Sequence, residues 1–304
     1  METLKQLYAD PKKVIVLKKS KSTFLLKSFF TQDKYCNLTG QDDYFKDLAR
    51  GIYRQGSKDG DSARAWKFIF KHLFFSKEIF SKMERKSNKR VSVLDVGCGA
   101  GYIKTVLESN IRGWEEIIYC GVDLRRSILI KAMSDDRSQP GCSRGKMISA
   151  YLWHDVTRPF PLKSDSFDFV VCSQLIKYLA KSSVNTLFSE IFRLLKRNGV
   201  LLLSNGLMFN KKIDLTMAEP KTKNRKENYW TTDELVDILK RSKFKKISVY
   251  GGETRLKYLL KGMKKDDKIL LDKFRHIFPD EIVESIFGFF YPELSGVKIF
   301  VAHK

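Results

Sequence analysis

The sequence predicts an α/β fold, a doubly wound, seven-stranded and mostly parallel sheet with helices ahead of it and a helical insertion before its last strand. Three observations carry this. Short β-branched apolar runs alternate with helically spaced segments from residue 91 onward, a glycine-rich turn ends the first of these runs, and the chain closes on VKIFVA at 297–302 after a long excursion. Such alternation covers both faces of a sheet, which favours parallel strands and places ligands at their carboxyl ends.

Taken in order, residues 1–40 are basic and irregularly patterned, with VIVL at 14–17 as a short strand, and they read as an arm. From 41 to 85 apolar residues recur at helical spacing, Phe45, Leu48, Ala49 and Ile52, then Ala65, Phe68, Ile69, His72 and Leu73, with the turn-like GSKDGDS between them. Two helices therefore precede the sheet. Strand 91–96 leads to helix 102–109, strand 117–122 to helix 125–134, and strand 147–152 to a connector holding RPFP. Strand 168–173 leads to helix 184–197, ended by KRNG, and then to strand 200–204. Thr231 and Glu234 stand in capping-box spacing at the start of helix 232–242, and a strand follows at 245–250. The insertion at 251–296 is patterned as helix, with Ile269, Leu270, Phe274, Ile277, Ile282, Ile286 and Phe289 as its buried face. The expected organisation is a basic arm with helices over 1–85 and one catalytic domain over 86–304, with 251–296 as a substrate lid.

Composition narrows the class. The chain has 304 residues, 43% hydrophobic and 30% charged, which is ordinary for a globular protein and excludes disordered and fibrous classes. Its most apolar stretches, such as VLLL at 200–203 and IFGFF at 286–290, fall short of the roughly 20 residues a membrane span needs. No apolar core with a cleavage site follows the amino terminus, and residues 1–34 contain no arginine, so neither a secretory signal nor a transit peptide is expected. The five cysteines include no C-x-x-C pair, which fits a reducing, cytoplasmic setting, and four scattered histidines give no basis for a metal centre. A net charge of +22 raises the expectation of a polyanionic partner, RNA included.

The chemistry lies in a constellation. Asp95, Gly97, Cys98, Gly99 and Gly101 end the first strand immediately before a helix. Glycines let the backbone turn sharply and approach a ligand, and the helix start supplies free N–H donors. The spacing is G-x-G-x-G behind an acid, unlike the G-x-G-x-x-G that seats a pyrophosphate. Asp123, with Leu124 beside it, ends the second strand, where a carboxylate can accept from both hydroxyls of a ribose. His154, Asp155 and Val156 follow the third, where a carboxylate can accept an adenine amino group.

The ordered set VLDVGCGAG, YCGVDL, HDVTRPFP, SDSFDFVVCSQLIKYL and LLKRNGVLLLSN resembles the class I S-adenosylmethionine-dependent methyltransferases, in their broad small-molecule and ubiquinone-type branch, over about residues 91–250. The resemblance implies a Rossmann-like methyltransferase fold and S-adenosylmethionine as cofactor. It implies that Asp95, Gly97, Gly99 and Gly101 shape the methionine pocket and that Asp123 holds the ribose. Asp155 and Val156 would hold the adenine, and the backbone around Cys172 and Ser173 would meet the amino acid end.

Blander roles stand beside these. Asp123 and Asp155 could cap helices, His154 reads as a positioning group and Cys98 as a small spacer. Asp168 reads as a local cap or pair. Tyr178 occupies the region where many relatives carry a histidine, so no catalytic base is assigned. Tyr229 and Trp230 could form an acceptor lid, although core packing is the commoner fate of such residues. The leading expectation is methyl transfer to an oxygen or nitrogen of a small or medium-sized acceptor, anionic or aromatic in character. An RNA methyltransferase, acting on a cap or structured RNA, and a noncatalytic subunit with the same fold remain as alternatives.

Overall fold

A computed structural model describes residues 7–9, 14–19, 23–28, 90–110, 115–135, 146–206, 230–253, 264–278, 283 and 297–304. The helices expected within 41–85 lie outside the described residues, as does Tyr229. The strands are β1 (Val14–Lys19), β2 (Thr23–Ser28), β3 (Arg90–Val96), β4 (Glu116–Asp123), β5 (Lys146–Trp153), β6 (Phe167–Ser173), β7 (Leu195–Gly206), β8 (Ile247–Glu253) and β9 (Val297–His303). The helices are α1 (Tyr102–Asn110), α2 (Arg126–Asp135), α3 (Lys181–Leu194), α4 (Thr232–Arg241) and α5 (Lys265–Ile277).

One sheet runs in the order β1-β2-β5-β4-β3-β6-β7-β9-β8. Strands β2 to β7 run parallel to one another, β9 runs against both β7 and β8, and β1 runs against β2. Central strands such as β3 are buried on both faces, which is why they read as continuous apolar runs. On one face Leu94 and Val96 pack with Leu187, Phe188 and Ile191 of α3 and Leu235 of α4. On the other, Val91 and Val93 pack with Leu107 of α1 and Leu129 of α2.

Among the described residues the sheet has nine strands where seven were expected, because the amino-terminal arm is partly sheet. β2 pairs in parallel with β5, Leu25 opposite Tyr151, and buries Leu25 and Leu26. Without it β5 would be an open edge with a row of unpaired backbone groups. Residues 7–9 are anchored too, since Lys163 N–H donates to Leu7 O at 2.7 Å and Ala9 N–H to Pro161 O at 3.1 Å.

Two boundaries also move. α3 runs 181–194, about a turn earlier than expected, because Val184, Leu187, Phe188, Ile191 and Leu194 complete its buried stripe and Leu195 already pairs with Phe167. The KRNG segment becomes an irregularity in β7 ahead of the Val200 to Phe169 pair, where Lys196 Nζ meets Asp168 Oδ2 at 2.6 Å. Asp168 also accepts from Ser92 N–H and Oγ, so it is the local structural pair that its position suggested. Burial works to raise its pKa, and Lys196 with the Ser92 donors outweighs that and holds it below the usual carboxylate range. In α5 the expected face is not buried: Ile269, Leu270 and Ile277 are exposed and Leu271 takes the inward position. Ile282, Ile286 and Phe289 lie outside the described residues. No helix among the described residues is long and apolar enough to cross a membrane.

Candidate functional site

From β3 the chain steps outward to β4 and β5, then returns to β6 on the other side of β3. Connections diverge there, which opens a crevice at the carboxyl ends of these strands. The glycine loop lies in it. Gly97, Gly99 and Gly101 have φ of 74°, 52° and 80°, the left-handed region that side chains avoid. Space is short as well: a Cβ on Gly97 would stand 3.0 Å from Leu175 Cδ1, and one on Gly101 3.2 Å from Tyr151 Oη. Gly97 and Cys98 N–H groups donate to Val122 O at 2.8 and 3.0 Å, which ties the loop to the end of β4. Cys98 is buried with its thiol turned back to Gly99 O, and burial, then the nearby carboxylates, push its pKa up, so it serves as a spacer.

Asp123 closes this cradle. Its Oδ2 accepts the Gly99 N–H and its Oδ1 the Arg125 N–H, both at 3.0 Å. Burial raises its pKa and those two donors oppose the rise. His154 N–H donates to Asp123 O at 3.1 Å, and Trp153 Nε1 to Leu124 O at 2.8 Å, so the ends of β4 and β5 form one rim. On that rim Asp155 is engaged locally, its Oδ1 accepting Thr157 N–H at 2.9 Å and Thr157 Oγ1 at 2.7 Å. No helix follows Asp155 within 156–166, so these bonds close a local turn and are not the helix cap that was offered for it.

His154 is corrected as a direct ligand. Its ring has no exposed surface and packs against Phe160 at 5.2 Å, with Nε2 3.3 Å from Arg158 O. Burial lowers its pKa, so the ring is neutral, and a carbonyl partner puts the proton on Nε2. Only its backbone reaches the rim. Val156 is buried beside it and Cys172 is fully buried under the end of β6.

Asp95, near the end of β3, is almost wholly buried. Tyr119 Oη donates to its Oδ2 at 2.7 Å. Burial, only partly offset by that bond and reinforced by Asp123, pushes it up to about 7. Sequence reading missed Tyr119 and also Gly121, where a Cβ would stand 2.8 Å from Cys98 Sγ and 3.0 Å from Tyr151 Cδ1. Gly121 lets β4 pass directly under the loop, and the only trace of this in the sequence is the glycine inside the strand motif YCGVDL.

Beyond β6, Ser173 Oγ lies 3.1 Å from Ser204 Oγ, and Gln174 adopts a left-handed φ of 55° with its N–H on Ser204 O at 2.9 Å. A non-glycine residue so placed is strained, and such strain gathers at functional turns. Leu175 follows and abuts Gly97. Tyr178 ends a short 3-10 turn (Ile176–Tyr178), half-buried, with Lys177 Nζ 5.0 Å from its ring centre. Trp230 is corrected from lid to core: it is 2% exposed, with Lys181 Nζ 4.9 Å from its ring centre.

Residues 94–203 match the family model described as a methyltransferase domain. The chain carries the class I S-adenosylmethionine-dependent methyltransferase fold and is an enzyme of that class, with S-adenosylmethionine as its cofactor. It is 26% identical over 199 residues to a phosphoethanolamine N-methyltransferase of Plasmodium falciparum, an alignment covering 62% of this chain and 68% of that protein. Among solved structures, a methyltransferase of Methanosarcina mazei is similar at 19% identity and a TM-score of 0.47, covering 73% of this chain and 96% of that one. A Haemonchus contortus phosphoethanolamine N-methyltransferase 2, bound to phosphomonomethylethanolamine and S-adenosylhomocysteine, is similar at 20% identity and a TM-score of 0.49. That match covers 88% of this chain and 61% of the Haemonchus chain.

Proposed function

We infer that the enzyme methylates the amine nitrogen of a small acceptor that carries an anionic group. The reading of the cofactor side is carried by one observation, the loop of three left-handed glycines tied to Asp123. The acceptor class is supported by the likeness to the Plasmodium enzyme, whose name states N-methylation of phosphoethanolamine, and by the +22 charge.

In this reading Gly97, Gly99 and Gly101 present backbone to the methionine end, where a side chain would collide. Asp123 takes the ribose hydroxyls with the lone pairs its two backbone donors leave. Asp155, Val156 and the backbone of Leu124 and His154 frame the adenine, while Ser173 and the backbone at Cys172 border the amino acid end. Tyr178 stands on the acceptor side. The bound sulfonium supplies a methyl that is already electrophilic, so the protein has chiefly to align a neutral amine with it and exclude water.

Label from methyl-labelled S-adenosylmethionine, offered together with phosphoethanolamine, ethanolamine and total RNA, tests this. The expected outcome is label in phosphoethanolamine in preference to ethanolamine. Label entering RNA alone would overturn the reading in favour of a nucleic-acid acceptor.

A further inference from the structure

A buried amide with no partner stands at the end of β7. Asn205 is fully buried, and neither its Oδ1 nor its Nδ2 has a hydrogen-bond partner among the described residues. Such groups are rare in native proteins because both ends of the amide lose their hydration with nothing in return.

Directly opposite, on β9, is Lys298. Cross-strand partners share a face of the sheet, and the pairs Leu203 to Phe300 and Leu201 to Ala302 continue that face into the core against α3 and α4. Lys298 is only 2% exposed, and its Nζ donates to Thr232 Oγ1 at 2.9 Å at the start of α4. Two residues earlier, Trp230 has its indole N–H buried and without a partner among the described residues. The group is thus rich in donors, with one formal positive charge.

Its place fits an acceptor. Ser204, the preceding residue, holds the Gln174 N–H, and Leu175 next to it abuts Gly97 of the cofactor loop. β7 is two strands from β3, about 10 Å at ordinary strand spacing. We propose that Asn205, Lys298 and the Trp230 indole form a subsite for the anionic oxygen group of the acceptor, phosphate or carboxylate, which turns the acceptor amine towards the methyl. The subsite rests on the anionic-amine reading given above. A phosphate monoester, close to its second pKa of about 6, offers the amide both an acceptor oxygen and an O–H.

The test uses calorimetry of the S-adenosylhomocysteine-loaded full chain with inorganic phosphate and with acetate, beside turnover on phosphoethanolamine. Asn205→Leu keeps the shape and removes both polar ends, so it should raise the melting temperature. It should also weaken phosphate binding and raise KM about tenfold or more, with S-adenosylmethionine affinity unchanged. Lys298→Met, judged folded by the same cofactor affinity, should do likewise. A rise in melting temperature with phosphate affinity and KM unchanged would overturn the subsite, as would a wild type that binds neither anion. Phosphate binding that is lost in Asn205→Leu, in a wild type that leaves phosphoethanolamine unmethylated, keeps the subsite and rejects the acceptor. Tighter binding of acetate than of phosphate would assign a carboxylate.

Discussion

Asp123 Oδ2 accepts the Gly99 N–H at 3.0 Å, and this bond joins the end of β4 to the middle glycine of the loop after β3. The same carboxylate holds Arg125 N–H with its other oxygen. One residue therefore ties the loop to β4 and, in the proposed reading, also holds the ribose.

Asp123→Ala removes both functions. The fold should survive, because the loop keeps its bonds to Val122 O, and S-adenosylmethionine affinity should fall by about 1.5–3 kcal/mol, the usual worth of hydrogen bonds to a charged group. Calorimetry measures this. A folded Asp123→Ala protein with wild-type affinity would remove Asp123 from the site.

Asp95 gives a pH signature. Unfolded, a carboxyl of this kind loses its proton near pH 4, whereas burial holds the native one up to about 7 despite the Tyr119 bond. Between those values the native state binds more protons than the unfolded state, so this group lowers stability as pH rises through that window. Asp95→Asn keeps an acceptor for Tyr119 and cannot ionise. Urea unfolding at about pH 5 and about pH 8 should show the variant gaining on the wild type at the higher pH. An equal difference at both would show that Asp95 stays ionised in the fold.

Gly121→Ala should act on the cofactor without touching it. The added methyl would lie 2.8 Å from Cys98 Sγ and 3.0 Å from Tyr151 Cδ1, too close for either to remain. Overpacking of this kind costs about 1–3 kcal/mol, and relief by moving Cys98 displaces the glycine loop. Both the melting temperature and S-adenosylmethionine affinity should drop. A loss of stability alone would show that the core yields on the Tyr151 side.

What the sequence could show was local. The glycine loop, Asp123 and the capping box of Thr231 and Glu234 are signalled by a few adjacent residues, and the capping box is present with both of its bonds. The strands β3 to β6 are signalled by apolar runs, and their ends fall within a residue or so of expectation. The inward turn of Asp95 towards Tyr119 and the neutral, buried ring of His154 depend on which neighbours surround them, which periodicity does not encode. The exposed Ile269 and Leu270 show the same limit, since helical spacing gives a stripe without saying what covers it. β2 escaped notice because TFLLKS becomes a strand only through β5, a partner remote in sequence.

That pairing changes what the amino terminus is for. A free arm that samples substrate could be removed without harm to the fold, and loss of turnover alone would follow. β2 instead completes the β5 edge, and β5 carries Trp153 and leads into His154 and Asp155 at the rim of the cofactor crevice. Deleting residues 1–34 takes away the burial of Leu25 and Leu26, worth about 1.5–3 kcal/mol each, and leaves a row of β5 backbone groups unpaired. The truncated protein should melt lower, associate with itself through the open edge, and bind S-adenosylmethionine more weakly as the β5 rim loosens. Differential scanning fluorimetry, size-exclusion chromatography and cofactor calorimetry on the same preparation measure these three effects. A monomeric truncation with wild-type melting temperature and cofactor affinity would mean that β2 contributes nothing to the sheet, and would return the segment to the role of an arm.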